Sequence, residues 1–186
     1  MGKHLCLQPV AKKQGEVVEQ ETLERLRLDL PKVFCLECRI ASPVTLPDSA
    51  YLPVRGQYLA SEILAGIKNH RYMEADRILA VTNIDLCAEG LSFVFGQAEL
   101  GGRLGIISTY RLRASTSLGD GRLYYGRVLK EAIHELGHTF GLVHCPDVLC
   151  IMYSSNTLED TDLKGPGFCS DCKLKLEKYL RRLIYR

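Results

Sequence analysis

Net charge is nearly absent: 24 Lys and Arg stand against 22 Asp and Glu, leaving +2 at neutral pH. So small an imbalance gives no electrostatic footprint for nucleic acid or for strongly acidic substrates. Long hydrophobic runs are missing too. None approaches the ~18 apolar residues of a membrane span, and the opening Met1-Gly2-Lys3-His4-Leu5-Cys6-Leu7 has no apolar h-region of the secretory kind. Position six is Cys6 rather than Ser or Thr, which does not suit myristoylation of Gly2. Internal repeats and low-complexity segments are absent, which excludes solenoids and disordered tracts. At 186 residues the chain suits one domain with a substantial core. Cysteine, by contrast, is plentiful at eight. With no leader for export, thiols in that number fit a reducing compartment, so a cytoplasmic location is expected. Histidine is scarce at five, and three of the five fall within one short stretch.

That stretch runs Glu131-Ala132-Ile133-His134-Glu135-Leu136-Gly137-His138-Thr139-Phe140-Gly141-Leu142-Val143-His144-Cys145 and contains H-E-x-x-H-x-x-G-x-x-H, a known zinc-peptidase motif. Each position has a physical reason. On a helix, His134 and His138 are four residues apart and share a face, so two imidazoles can converge on one cation. Gly141 can take positive φ, end the helix and turn the chain back, bringing His144 in as a third ligand. Three protein ligands leave the fourth tetrahedral position of a zinc open to water, the arrangement of a catalytic site. Glu135 lies about 100° around the helix from His134, where a carboxylate can take a proton from water and pass it to a leaving amine. Tyr125, Leu129, Ala132, Ile133, Leu136 and Phe140 gather on the side opposite the histidines. Chance surface histidines and a bound but catalytically idle zinc are the alternatives.

Four cysteines follow as C-x4-C and C-x2-C: Cys145, Cys150, Cys169 and Cys172. Such a set can supply every ligand of a structural zinc; two disulfides or isolated buried thiols are the alternatives. Met152, eight positions after His144, suits a soft side chain beneath the three-histidine floor, as the Met-turn does in metzincins.

From His134 to Cys172 the chain closely resembles the archaemetzincin family of zinc metalloproteases. The resemblance implies His134, His138 and His144 as ligands of a catalytic zinc and Glu135 as the general base and acid. It further implies Cys145, Cys150, Cys169 and Cys172 around a second, structural zinc, with Met152 as the Met-turn residue. In some metzincins a tyrosine two residues past that methionine assists; here Tyr153 is one residue past it and Ser154 takes the later place, which puts a tyrosine switch in doubt.

Upstream, Leu5 to Val10 reads as a strand. A polar link (Lys12 to Gly15) leads to a helix from about Glu16 to Leu30 that Pro31 stops. Val33 to Ile40 reads as a strand carrying Cys35 and Cys38, for which two buried thiols, a disulfide involving Cys6 or Cys87, and a further metal all stay open. The proline-bearing Ala41 to Arg55 is a loop, Tyr58 to His70 a helix, Arg77 to Thr82 an interior strand, and Asn83 to Leu86 a loop. Leu91 to Ala98 and Leu104 to Leu112 are strands about a Gly101-Gly102 turn. A polar loop (Ser115 to Gly121) precedes the active-site helix, Arg122 to Leu142. The last helix, Asp171 to Tyr185, puts Leu176, Tyr179, Leu180, Leu183 and Ile184 on one face and Lys173, Lys175, Lys178, Arg181 and Arg182 on others, a solvated face or an anion-binding one.

This order predicts an α/β (α+β) fold: a twisted mixed sheet with an antiparallel edge strand, backing helices, an active-site helix and a zinc-stapled C-terminal region. One catalytic domain spans 1–186, with an upper part (1–142) and a C-terminal part (143–186). In metzincin-like folds the antiparallel edge strand lines the cleft, so part of Leu91 to Leu100 either holds a peptide by strand addition or is an ordinary strand. The function expected is zinc-dependent hydrolysis of peptide bonds, using one catalytic and one structural Zn2+, by a monomer that takes a peptide or protein substrate and engages neither nucleic acid nor membrane. The alternative is a non-catalytic zinc protein that binds peptides or another macromolecule.

Overall fold

A computed structural model describes residues 3–12, 18–68, 75–114 and 121–184. In chain order its first half holds β1 (His4–Ala11), α1 (Gln20–Phe34), β2 (Glu37–Ile40), β3 (Val44–Thr45), β4 (Tyr51–Leu52), β5 (Gln57–Leu59) and α2 (Ala60–Lys68). Then come β6 (Arg77–Thr82), β7 (Leu86–Cys87), β8 (Gly96–Ala98), β9 (Leu104–Ser108), α3 (Gly121–Thr139), α4 (Leu158–Leu163) and α5 (Ser170–Ile184). Most of the expected polar link after Lys12, the first residues of the first predicted helix, the end of the second near His70, the loop from Ser115 and Tyr185 lie outside the described residues.

The main sheet runs β2-β1-β6-β9-β8, with β3 pairing the end of β1. All its pairs are parallel except β8 against β9, so the one antiparallel strand is the edge strand, as predicted. Side chains alternate across it. Leu5, Leu7, Leu79, Val81 and Ile107 join a core with α1 and α3, while Cys6, Val10, Ile78, Ala80, Leu104 and Ile106 join one with α2. Central strands covered on both faces need apolar residues at every position, which is why β6 and β9 read as unbroken apolar runs. The helices expected behind the sheet therefore cover both of its faces. A small sheet, β4-β5-β7, stands apart, and β7 occupies part of the predicted Asn83–Leu86 loop.

Several boundaries differ from the sequence reading. Pro31 does not stop α1; the helix runs on to Phe34. A proline ring removes one helical hydrogen bond, but Leu30 and Phe34 on either side are fully buried, and that burial outweighs it. Cys35 is then the left-handed cap, φ 53°, its N–H donating to the Pro31 carbonyl at 2.9 Å. So Val33 to Leu36 are not strand, and Cys35 and Cys38 lie on different elements. The predicted strand from Leu91 shrinks to β8, because side chains take up the backbone groups before it: Arg55 Nη2 donates to the Leu91 and Ser92 carbonyls at 2.9 and 2.6 Å. The strand from Leu104 ends at Ser108, and a 3-10 turn occupies Arg111–Arg113.

α4 was not anticipated, although Thr157 and Asp160 form a capping box, a pattern readable as T-x-x-D. It is tied to α3 by charge. Arg127 grips Asp162 at 2.7 and 2.6 Å, and the fully buried Lys164 ammonium sits 2.9 Å from Glu131, which also accepts from Thr161 Oγ1 at 3.2 Å. Removing one partner of a buried pair leaves a bare charge, so Lys164→Met is expected to cost about 3–5 kcal/mol in chemical denaturation. The double variant with Glu131→Leu should recover most of that loss; equal losses in both would show that the pair's charges do not couple.

Candidate metal centre and cleft

α3 ends where the third histidine needs it to. Gly141, at φ 86°, donates to the His138 carbonyl at 2.8 Å, and Leu142 N–H donates to the Gly137 carbonyl at 3.1 Å. These are the two bonds of a Schellman cap. The helix closes at Thr139, three residues before the predicted Leu142. A side chain at Gly141 would be strained by φ and would meet the Tyr179 hydroxyl at 3.0 Å. Of the face predicted for the last helix, Leu176 and Leu180 are buried and Tyr179 is 39% exposed.

The turn returns His144 to the helix. The ligand atoms of His134, His138 and His144 lie within 4.8 Å of one another. His134 Nδ1 lies 2.9 Å from the Ile151 carbonyl and His138 Nδ1 2.7 Å from the Leu142 carbonyl. A carbonyl only accepts, so each Nδ1 carries the proton and each Nε2 presents a lone pair; the two Nε2 atoms are 3.0 Å apart. Burial pushes all three imidazoles below their ordinary range, His134 furthest, which keeps them neutral. Three converging neutral nitrogens, two of them with fixed tautomers, fit a zinc ion.

Glu135 is buried beside them, and burial, then the nearby Glu131 carboxylate, push its carboxyl well above the usual range. The side chain runs beneath β8 and β9. A Cβ on Gly96 would fall 2.6 Å from Glu135 Cγ and Oε1 and 2.7 Å from the Ile106 carbonyl, and one on Gly105 would fall 3.5 Å from Glu135 Cβ. Under α3 lies Met152, fully buried, its sulfur 2.5 Å from where a Cβ on Gly137 would stand.

Cys145, Cys150, Cys169 and Cys172 form the second cluster, their sulfurs also within 4.8 Å. All four are free thiols, and the 3.8 Å between Cys145 and Cys169 sulfurs is far from a disulfide bond. Burial raises Cys145 and Cys172, whereas the Cys172 N–H at the start of α5 lowers Cys169. Four sulfurs packed so closely cannot all ionise without a cation among them, which is the donor chemistry of a structural metal site. Cys6, Cys35, Cys38 and Cys87 are free as well and join no metal-binding group among the described residues; burial pushes the Cys38 thiol up to about 12.

Beside the histidines opens a cleft of about 540 Å³. Residues 91–98 and Leu100 form its upper wall, His134, Glu135, His138 and His144 its floor, and Ser154, Ser155 and Asn156 its lower wall. Tyr153 is not among the lining residues; Ser154 is. Phe95 O accepts from Ser108 N–H at 2.8 Å and Glu99 N–H donates to Leu104 O at 2.9 Å. In an antiparallel ladder these groups alternate, so the N–H and C=O of Gly96 and Ala98 point to the open edge.

A family model described as peptidase family M54 matches residues 16–178. The chain belongs to peptidase family M54. It is thus a member of a zinc metallopeptidase family whose relatives are archaemetzincins. The archaemetzincin of Methanopyrus kandleri is 48% identical over 137 residues, covering 74% of this chain and 75% of that protein. The crystal structure of M. kandleri archaemetzincin superposes with a TM-score of 0.85 at 38% identity over 97% of both chains. That of Archaeoglobus fulgidus archaemetzincin, complexed with malonate, gives 0.79 at 35% identity over 92% of this chain and 99% of that one.

The structure thus brings together every site residue the sequence singled out. It adds Gly96, Gly105 and Gly137, which make room for Glu135 and Met152, and the Ile151 carbonyl, which orients His134. Gly137 carried a readable sign, a glycine inside a helix where alanine is favoured by ~1 kcal/mol. A backbone carbonyl carries none. Replacing Gly96 by alanine is expected to displace the Glu135 carboxylate against an unyielding backbone and to lower kcat roughly hundredfold with metal content unchanged. Gly137→Ala should lose about 1–3 kcal/mol by overpacking Met152, more than the helix propensity it gains; a stabilised variant in thermal unfolding would contradict that packing.

Proposed function

We propose that the chain is a single catalytic unit that hydrolyses peptide bonds, with His134, His138 and His144 holding a catalytic zinc and Glu135 moving the proton. Residues 1–142 supply the sheet, the upper wall and the active-site helix; residues 143–186 supply the third ligand, the lower wall and a second, structural zinc held by Cys145, Cys150, Cys169 and Cys172. The observation that carries this reading is the pair of fixed tautomers aimed at one point, with a buried carboxylate on the next residue. Zinc, when bound, supplies the Lewis acidity that activates water and polarises the scissile carbonyl.

The remaining work falls to the protein. The outward N–H and C=O groups of Gly96 and Ala98 receive an extended peptide as an added strand, laying its backbone along the cleft floor. Glu135, buried beside the histidines, accepts a proton from the attacking water and delivers it to the amide nitrogen as the C–N bond breaks. Its elevated pKa suits both halves of that task, because the group must bind a proton and then release it. Tyr153 is not among the residues lining the cleft, and this reading assigns it no role.

Metal content measured on wild type, His138→Ala and Cys150→Ala tests the assignment. Two zincs per chain are expected in wild type, with one lost in each variant, and Cys150→Ala should also unfold at lower temperature. Glu135→Gln is expected to keep both metals and the fold while cleavage of an unbiased peptide library falls about 10²–10⁴-fold. Unchanged turnover in Glu135→Gln would remove the residue from the mechanism, and two zincs with no cleavage at all would favour a peptide-binding role.

A further inference from the structure

Single exposed apolar side chains are ordinary on a protein surface. Of the large ones exposed among the described residues, three line the cleft: Leu91, Leu100 and Val143. Leu91 lies at one end of the upper wall, on the stretch whose carbonyls Arg55 holds. Leu100 and Val143, each 59% exposed, are brought to the other end by one backbone oxygen. The His138 carbonyl, in the last turn of α3, accepts from Gly101 N–H at 2.9 Å and from Gly141 N–H at 2.8 Å. Gly101 follows Leu100 in the turn between β8 and β9, and Gly141 lies two residues before Val143. Both segments are therefore pinned to the same spot.

The alternation of the edge strand shows which way Leu100 faces. A Cβ on Gly96 would meet Glu135, and one on Gly105 would lie between Glu135 and the Ala98 Cβ, so Gly96 and Ala98 face α3. Gln97 and Glu99 face the other way: Gln97 pairs with Ile106 of the α2 core, and Glu99 is ion-paired at 3.0 Å with Lys68 at the end of α2. Leu100, next in the alternation, returns to the α3 side, where the histidines are. On the facing segment Leu142 is buried in the core, and Val143 after it is turned outward. Neither Leu100 nor Val143 belongs to a core cluster. Both keep apolar surface in water at the mouth of the cleft, and that surface favours a cover.

We propose that Leu100 and Val143 form a specificity subsite for a large apolar side chain of the substrate (Leu, Ile, Met or Phe), two to four residues from the bond that is cut; this rests on the peptidase reading above. An extended peptide on the open edge of β8 turns alternate side chains to the α3 face, about 7 Å apart. The bond to be cut lies over Glu135, which sits beneath Gly96. Leu100 stands four residues farther along, roughly 13 Å of extended chain, and side chains reach diagonal neighbours across a strand pair. The peptide side chain that arrives there meets Leu100 from the upper wall and Val143 from the end of α3. Covering a large aliphatic or aromatic side chain strengthens binding roughly ten- to hundredfold, and a subsite open on one side gives the lower figure. A charged side chain would lose hydration there without gaining a partner, which sharpens the choice.

A positional peptide library cleaved by the zinc-loaded protein tests the subsite. Wild type is expected to prefer Leu, Ile, Met or Phe over Ser or Asp about tenfold in kcat/KM at one position within four residues of the cut. The double variant Leu100→Ser with Val143→Ser should bring that preference below about threefold, whereas Leu100→Met with Val143→Ile should retain it. Both residues are exposed, so zinc content and unfolding temperature should match wild type in each double variant, which separates lost selection from lost fold. The same preference is measured without turnover by the binding of fluorescent peptides to zinc-loaded Glu135→Gln. A preference that survives the two serines, or no apolar preference within four residues of the cut, would overturn the proposal. So would a wild-type dimer that the two serines dissolve while peptide discrimination stays intact, because a second copy of the chain would then be the cover. Absence of zinc-dependent cleavage by wild type, with a binding preference that the two serines abolish, would overturn hydrolysis and leave the subsite standing; absence of the binding preference as well would overturn both.

Discussion

The hydrogen bond from His134 Nδ1 to the Ile151 carbonyl is the contact on which the rest of the site depends. It fixes the tautomer of the first ligand and thereby the direction of its lone pair. The carbonyl stays in place because its segment is held at both ends. Ile151 N–H donates to the Gly167 carbonyl at 2.9 Å, and Cys145 N–H donates to the Met152 carbonyl at 2.9 Å. Cys150 belongs to the thiol cluster and Met152 packs beneath α3. One three-residue strap therefore touches the histidine cluster, the cysteine cluster and the underside of the active-site helix. Ordering the four thiols orders the strap, and ordering the strap orients His134.

Such crowding demands small residues. α3 passes close to Met152 at Gly137, and Glu135 passes beneath the sheet edge at Gly96 and Gly105. Each glycine weakens its own helix or strand by roughly 0.5–1 kcal/mol relative to alanine. A methyl group at Gly96 or Gly137 would force a contact shorter than side chains accept, at about 1–3 kcal/mol. The second figure is larger, so glycine is the more stable choice despite its poor intrinsic propensity.

The chemistry of the site was legible in the sequence because it depends on spacing along one helix and one turn. His134, Glu135 and His138 share a helix, Gly141 ends it, and His144 follows within three residues; no long-range contact has to be known. The cysteines were legible for the same reason, as two short-range pairs. What stayed hidden depends on contacts between distant segments. Pro31 would end a free helix, but Phe34 stacks on Phe140 at 5.3 Å, and a contact across more than a hundred residues overrides a local propensity. Leu91 to Phe95 have the composition of a strand, yet Arg55 and Gln57, from another part of the chain, bond the carbonyls that a ladder would have used. Cys35 and Cys38, read on one strand as buried thiols, a disulfide or a metal pair, are separated by the helix end at Cys35, which leaves Cys35 exposed.

The charges beneath the cleft follow from the same geometry. Glu131 and Glu135 are four residues apart on α3, so two carboxylates face the same side of a buried helix, an arrangement that disfavours ionisation of both. Lys164 stands against Glu131 with its ammonium entirely buried, so the direct ion pair goes to Glu131, and Glu135 feels that charge only from further off. Lys164 arrives there only because α4 is capped by Thr157 and Asp160 and clasped by Arg127 through Asp162. The segment between the strap and α4 is Ser154 to Asn156, the lower wall of the cleft. Its position is thus set from both sides, by the strap that orients His134 and by the ion pairs beside Glu135.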